Sequence, residues 1–171
     1  MQPLWAPWRM AYIDEAPPEG CIFCTFPNDA SPGAARRHRL LARTDAAFVI
    51  LNRYPYNPGH LMVIPHHHGG SLVALDDAAF QGLHALLKVA VEAVTAAYAP
   101  EGLNVGMNLG RAGGAGITDH LHYHVVPRFI GDSNFMPLLA ETKVVNEHLD
   151  ATWERLHPIF SSILGATLPG I

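Results

Sequence analysis

The chain has 171 residues and a formal net charge of −4, with 49% hydrophobic and 15% charged residues. This length suits one domain, and the apolar content excludes a largely disordered chain. The charge balance excludes a strongly basic surface for nucleic acid. Residues 1–20 lack the apolar centre of a signal peptide, and no apolar run approaches the roughly 20 residues of a membrane span. We therefore expect a cytoplasmic protein without membrane or nucleic-acid partners.

The first residues of the chain combine prolines with large apolar side chains. Residues 1–20 predict an extended arm that lies on an apolar surface of this chain or of a second copy. The only two cysteines, Cys21 and Cys24, follow this arm at C-x-x-C spacing. In a reducing compartment this spacing favours a metal-binding turn. A reduced, partly buried pair is the alternative, and a redox pair is disfavoured because no βαβ pattern surrounds it.

The first half of the chain then predicts two strands and a long helix. Residues 26–37 are rich in Pro, Gly, Asn and Ser and predict a surface loop. Short apolar runs at 46–51 and 60–64 predict a hairpin-like pair of strands, connected through Asn57-Pro58-Gly59. Asp76 or Asp77 can cap a helix whose apolar residues recur at helical spacing as far as Tyr98.

The second half predicts two more strands and a final helix. The strands, 103–109 and 121–126, flank a glycine-rich loop at 110–116, and the helix lies near 143–156. Strands, one long helix and further strands indicate an α+β fold. We expect a core domain of residues 21–130, preceded by the arm and followed by a C-terminal extension, 131–171.

Three histidines alternate with other residues in the last predicted strand: His120, His122 and His124. Alternate strand residues project from one face, about 6.6 Å apart, so three rings could line a polyphosphate. A neutral imidazole is a competent phosphorus nucleophile near neutral pH. A merely polar sheet face is the alternative. The adjacent glycine-rich loop favours chemistry, because its backbone amides can approach phosphate closely.

At this point the sequence resembles a known family. The His-apolar-His-apolar-His-apolar-apolar pattern of residues 120–126 is similar to that of histidine-triad (HIT) proteins, as are Leu51-Asn52-Arg53 and Asn57-Pro58-Gly59-His60. The resemblance spans about residues 21–128. The flanking segments 4–9 and 131–135 are similar to the branch of diadenosine-tetraphosphate phosphorylases and related dinucleoside-polyphosphate hydrolases.

The resemblance implies a HIT-like α+β fold with an antiparallel sheet, a long central helix and a C-terminal helix, assembled as a homodimer. It implies that His122 attacks the α-phosphorus of an adenine dinucleoside polyphosphate, that a nucleotidyl-histidine forms, and that His124 stabilises the phosphate charge, with His120 completing the catalytic triad. It also implies a set of nucleotide-binding residues: Asn52, His60, Asn108, Gly114, Ala115, Gly116 and Ile117.

The resemblance further implies a structural zinc ion held by Cys21, Cys24, His68 and His120. Structural zinc takes four nitrogen or sulfur ligands in a tetrahedron. The run Pro65-His66-His67-His68 leaves the third ligand open on spacing alone, with His68 favoured over His67. Magnesium accompanying the polyphosphate is an additional expectation.

One departure from the family pattern leaves the reaction open. Gly116 stands where dinucleoside-triphosphate hydrolases of the family carry glutamine and phosphorylases carry serine, and the loop is longer than in the small phosphoramidases. The second acceptor is therefore either water or phosphate. Two other classes of function remain as alternatives: a nucleotide-binding scaffold with little turnover, and a zinc-dependent phosphohydrolase, which needs an open coordination position.

Overall fold

The computed structural model describes residues 20–132 and 147–165. The predicted arm up to residue 19, the segment 133–146 and the last six residues lie outside the described part. The described residues form five strands: β1 (Leu40–Arg43), β2 (Ala47–Leu51), β3 (Leu61–Pro65), β4 (Gly102–Met107) and β5 (Tyr123–Arg128). The same residues form four α-helices: α1 (Ile22–Thr25), α2 (Ala34–Arg37), α3 (Asp77–Tyr98) and α4 (Leu149–Leu164).

The strands form one antiparallel sheet in the order β1-β2-β3-β5-β4. Strand β3 is central, and its register places Leu61 opposite Val125 and Val63 opposite Tyr123 on β5. Every residue of β2 and β3 is buried, which explains why these two strands are continuous apolar runs. The sheet and its helices confirm the predicted α+β class.

The long helix α3 packs on one face of this sheet together with α4. Its buried residues recur at helical spacing: Leu83, Leu86, Ala90, Ala93 and Val94. The carboxylate of Asp76 caps the helix by accepting a hydrogen bond from the Ala79 amide at 2.8 Å. Helix α4 adds Trp153, Leu156 and Phe160 to the same core. The predicted long helix is therefore confirmed with its capping residue.

The opposite face of the sheet carries a smaller apolar cluster. Phe23 from α1 packs there against Phe48 of β2 and Met62 of β3. This face is not covered by a long helix within residues 20–132 and 147–165. It is the face on which the candidate site lies.

Several predicted boundaries were wrong. Residues 26–37 are not a simple loop, because a one-turn 3₁₀ helix (Phe26–Asn28) and α2 lie within them. Strand β1 was not predicted, since its four residues carry no alternating pattern. Helix α4 begins at Leu149 and continues through Pro158 to Leu164, while residues 143–146 of the predicted helix lie outside the described part.

No described helix combines the length and apolar character that crossing a lipid bilayer requires.

Candidate functional site

The histidine triplet straddles the start of β5. Only His124 lies within the strand, because β5 begins at Tyr123, and the Leu121 amide bonds to the carbonyl of Gly69. The expectation of three rings side by side on one strand was therefore wrong. The rings of His122 and His124 lie 5.1 Å apart, whereas the His120 ring faces the two cysteines.

His122 is held in one tautomer by the backbone. Its Nδ1 lies 2.9 Å from the carbonyl oxygen of His120, and the side chain is 4% exposed. A carbonyl oxygen can only accept, so the Nδ1 atom carries the proton. The Nε2 atom of the neutral ring therefore holds the free lone pair, as a nucleophile requires.

His124 is held in one tautomer by a neighbouring side chain. The Tyr56 amide donates to Nδ1 of His60 at 3.0 Å, so neutral His60 carries its proton on Nε2. That Nε2 atom lies 3.0 Å from Nδ1 of His124. His124 accepts there, and its own proton resides on Nε2. The two rings thus present opposite groups, a lone pair on His122 and a donor on His124.

Burial affects how His124 titrates. Removal from water, and secondarily the proximity of His122, lowers the pKa of His124 below its usual value. The ring is therefore neutral at neutral pH, which preserves the donor and acceptor roles just described.

The second cluster combines the C-x-x-C pair with two histidines. Cys21 Sγ lies 3.4 Å and Cys24 Sγ 3.7 Å from Nδ1 of His120, and Nδ1 of His68 lies 3.3 Å from both Cys24 Sγ and His120 Nδ1. Tetrahedral zinc with sulfur and nitrogen ligands requires ligand separations of about 3.3 to 3.8 Å. These four residues therefore match a zinc site in number and donor type, and the four separations just given lie within this range.

A backbone carbonyl also selects the tautomer of His120. Its Nε2 donates to the carbonyl of Pro65 at 2.8 Å, which leaves Nδ1 unprotonated and facing the cysteines. Burial, as the main cause, lowers the pKa of His120, so the ring is neutral as a metal ligand must be. Burial likewise raises the pKa of the Cys24 thiol where no cation stabilises the thiolate.

The choice among the three consecutive histidines is explained by their surroundings. His66 stacks on Phe48, and its Nε2 bonds to the carbonyl of Thr44 at 2.9 Å. His68 instead joins the four-residue cluster, whose ligand atoms all lie within 4.8 Å of one another. Within residues 20–132 and 147–165 this is the one group of potential metal ligands, so nothing there supports a protein site for magnesium.

Close backbone approach brings His68 to His120. A Cβ atom at Gly70 would lie 2.2 Å from the Thr118 carbonyl oxygen, which no ordinary side chain permits. The neighbouring Gly69 carbonyl accepts from the Leu121 amide at 2.9 Å. Glycine at position 70 is therefore required for the segment after β3 to approach the segment before β5 this closely.

Several of the predicted nucleotide-binding residues bond to one another, and His60 contacts His124 of the triplet. Asn108 Nδ2 donates to the Gly114 carbonyl at 3.2 Å, and the Ala115 amide donates to the Gly110 carbonyl at 3.3 Å. The Asn52 carboxamide oxygen accepts from the Tyr54 amide at 2.8 Å, and its Nδ2 lies 3.4 Å from His60 Nε2. Because Nδ2 can only donate, this contact is not a hydrogen bond when His60 carries its proton on Nε2. His60 is buried behind His124.

Sequence analysis missed two supports of the site. Phe23 contacts the rings of both His120 and His122, and nothing in its sequence context indicates that role. Buried Asn57 donates to the Pro127 carbonyl and to Asp132, both at 2.7 Å, and so ties the turn before β3 to the end of β5. The Asn-Pro-Gly turn was recognised, but not its partner across the sheet.

Comparison with known proteins agrees with this arrangement. The HIT domain model matches residues 35–131. This chain belongs to the HIT family. A relative named AP-4-A phosphorylase, from Mycobacterium tuberculosis strain H37Rv, is 38% identical over 157 residues, which cover 89% of this chain and 80% of the relative. The chain is accordingly an enzyme of the HIT type.

Two solved structures share the fold. A zinc-bound histidine triad protein from Mycobacterium smegmatis aligns with a TM-score of 0.66 at 22% identity, covering 85% of this chain and 96% of that one. A histidine triad nucleotide-binding protein from Sulfolobus tokodaii aligns with a TM-score of 0.64 at 25% identity, covering 85% and 92%. Both likenesses support the HIT fold of the sheet and its helices.

Proposed function

We propose that this enzyme cleaves the α-phosphate linkage of adenine dinucleoside polyphosphates through a nucleotidyl intermediate on His122. The observation that carries the proposal is the opposite tautomers of the two adjacent rings. His122 presents an unprotonated Nε2, while His124, through His60, presents a protonated one. A nucleophile and a donor 5.1 Å apart, centroid to centroid, suit a phosphoryl group between them.

In the first step, the Nε2 lone pair of His122 attacks the α-phosphorus. The bond from phosphorus to the bridging oxygen breaks, and the remaining nucleoside polyphosphate departs with that bonding pair. The Nε2–H group of His124 donates to an oxygen of the α-phosphate and stabilises its developing charge. In the second step, water or phosphate attacks the same phosphorus, and the bond to His122 breaks.

The glycine-rich loop is proposed to supply backbone donors to the phosphates. The amides of Gly114 and Ala115 donate to carbonyls within the loop. We therefore assign the phosphate contacts chiefly to Gly116 and Ile117, which follow that turn and precede the triplet. Asn108 would then act mainly by bracing the loop at Gly114. Asn52 is proposed to contact the ribose.

The proposed substrate class is based on the relative named AP-4-A phosphorylase, which aligns over most of both chains. Its similarity favours a substrate with two adenosines bridged by phosphates, and it favours phosphate as the second acceptor. Gly116 offers no side-chain donor to position that acceptor, so the choice between phosphate and water has to be measured.

We also propose that the four-residue cluster binds zinc with a structural role. Four protein ligands close the coordination shell, which disfavours the alternative of a metal-bound water as the attacking group. When bound, zinc would cross-link α1, the segment after β3 and the triplet. Unoxidised cysteine ligands are consistent with a reducing compartment, and we place the protein in the cytoplasm.

The decisive experiment incubates the zinc-loaded enzyme with diadenosine tetraphosphate, with and without inorganic phosphate, and identifies the products. ADP and ATP formed only when phosphate is present indicate phosphorolysis, whereas AMP and ATP indicate hydrolysis. The variant His122→Ala should lose at least a thousandfold in turnover, with His66→Ala as the control. No turnover by the wild type would favour the scaffold alternative, and near-normal turnover by His122→Ala would refute covalent catalysis.

We propose a homodimer formed along β4. This strand is at the edge of the sheet, and Asn104, Val105 and Gly106 are exposed there in the described part of the chain. An unpaired edge of this kind can pair with a second copy. Sedimentation equilibrium should give a dimer for the wild type and a monomer for Val105→Lys, with Val73→Lys as the exposed control. A monomeric wild type at micromolar concentration contradicts this proposal.

A further inference from the structure

Phe23 links the metal-binding turn to the nucleophile. It lies on α1 between Cys21 and Cys24 and is 1% exposed. Its ring meets His120 edge-on, with centroids 5.4 Å apart and planes at 85°, and lies tilted against His122 at 5.3 Å and 55°. One apolar side chain therefore touches both a candidate metal ligand and the nucleophile.

The hydrogen bond at Nδ1 constrains His122 only partly. That bond holds one ring atom 2.9 Å from the His120 carbonyl but permits the ring to rock about the contact. Rocking displaces Nε2, the atom that must meet phosphorus in line. The Phe23 ring occupies one side of the imidazole and restricts this motion. Phe23 itself belongs to a buried apolar cluster with Phe48, Ile50 and Ile64, in which close packing limits its motion.

We infer that Phe23 is a positioning residue for His122, delivered to the imidazole by the same helical turn that carries the two cysteines. The inference rests on the proposed function, because it assumes that His122 Nε2 is the attacking atom. It adds a second role to α1. The turn both supplies metal ligands and orients the nucleophile.

The test compares Phe23→Leu with Phe160→Leu in zinc-loaded protein. Both changes remove a fully buried aromatic ring, but Phe160 lies in the core on the other side of the sheet. We expect Phe23→Leu to lower kcat on diadenosine tetraphosphate about tenfold, with KM changed less than twofold and one zinc per chain retained. Imidazole nitrogen NMR should show shifted or broadened His122 resonances, because the ring gains freedom to rock, while the Nδ1–H tautomer is retained. Phe160→Leu should lower Tm while kcat and the NMR signature remain unchanged.

Two outcomes would overturn the inference. One is a Phe23→Leu enzyme whose kcat and imidazole spectrum match those of Phe160→Leu. The other is a fall in kcat that accompanies zinc loss and is fully reversed by added zinc, since Phe23 would then only support the metal. Phe23→Met, whose flexible side chain fills a similar volume, replaces Phe23→Leu if the latter does not fold.

The same assays separate this inference from the proposed function. His122→Ala is measured alongside as the reference for covalent catalysis. Full activity of His122→Ala would remove the proposed function. Inactive His122→Ala together with an unaffected Phe23→Leu would remove only the positioning role.

Discussion

At the scale of single residues, hydrogen bonds decide what each histidine can do. Nδ1–H of His122 donates to the His120 carbonyl, and Nε2–H of His120 donates to the Pro65 carbonyl. One ring therefore exposes Nε2 and the other Nδ1. Adjacent imidazoles of identical composition thus differ in function, because a backbone acceptor selects the nitrogen that stays free.

His60 donates to Nδ1 of His124, so a change at His60 tests whether this hydrogen bond determines the role of His124. Changing His60→Phe keeps an aromatic ring but removes the donor to Nδ1 of His124, so both tautomers of His124 become populated. We expect kcat to fall about two- to tenfold, the equivalent of a hydrogen bond worth roughly 0.5–1.5 kcal/mol. The measurement is steady-state turnover on diadenosine tetraphosphate.

A matched control is available for His60→Phe. His66 also stacks on an aromatic ring and bonds to a carbonyl, but it contacts neither His122 nor His124. His66→Phe should retain wild-type kcat. A His60→Phe enzyme as active as His66→Phe would show that His124 does not need its buried neighbour.

At the scale of elements, short irregular segments build the site and long regular ones support it. The metal cluster is assembled from the turn at α1, the residues that follow β3 and the residues that precede β5. These segments meet because Gly70 permits close approach to the Thr118 carbonyl, and the neighbouring Gly69 carbonyl accepts from the Leu121 amide. Strands β3 and β5 pair with each other and so hold the two segments near each other.

The variant Gly70→Ala should separate these segments. Its new Cβ would lie 2.2 Å from the Thr118 carbonyl, so the backbone must move apart and take His68 away from His120. We expect weaker zinc binding and a Tm lowered by several degrees, measured by competition with a chromophoric chelator and by calorimetry. Gly102→Ala is the control, because its Cβ would meet Arg128 at an ordinary 3.9 Å. Unchanged zinc affinity in Gly70→Ala would contradict the prediction.

At the scale of the whole molecule, the sheet has the larger apolar core on one face and the candidate site on the other. One face buries α3 and α4 in the larger core, and the other carries Phe23, the four-residue cluster and the rings of His122 and His124. The chemical face has the smaller apolar cluster. A metal cross-link is an effective substitute where little apolar surface is available for burial.

Removing metal from the intact enzyme should therefore destabilise it. Dialysis against a strong chelator should lower Tm by several degrees, and stoichiometric zinc should restore it, since the ion connects residues 21–24, 68 and 120. Elemental analysis and scanning calorimetry provide the measurement. Cys24→Ser is the internal control, and its Tm should respond little to chelator. Equal Tm for metal-free and metal-loaded wild type would refute a structural ion.

Much of this architecture depends on residues close together in the chain and can therefore be predicted from the sequence. Strands β2 and β3 are apolar throughout because both of their faces are buried. The apolar residues of α3 recur at helical spacing because only one side of the helix is buried. The alternating histidines of residues 120–126 indicated the family resemblance. Patterns of this kind depend on residues close in sequence, so they survive without knowledge of the fold.

Other features were decided only by tertiary structure. The sequence predicts three histidines on one strand, but β5 begins only at Tyr123. The Leu121 amide donates instead to the Gly69 carbonyl, and His120 faces the cysteines. The selection of His68, the tautomers of His122 and His124, and the place of Phe23 depend likewise on partners distant along the chain. Local sequence determines which elements form. Which nitrogen is left free for chemistry is determined by the groups that the fold brings against it.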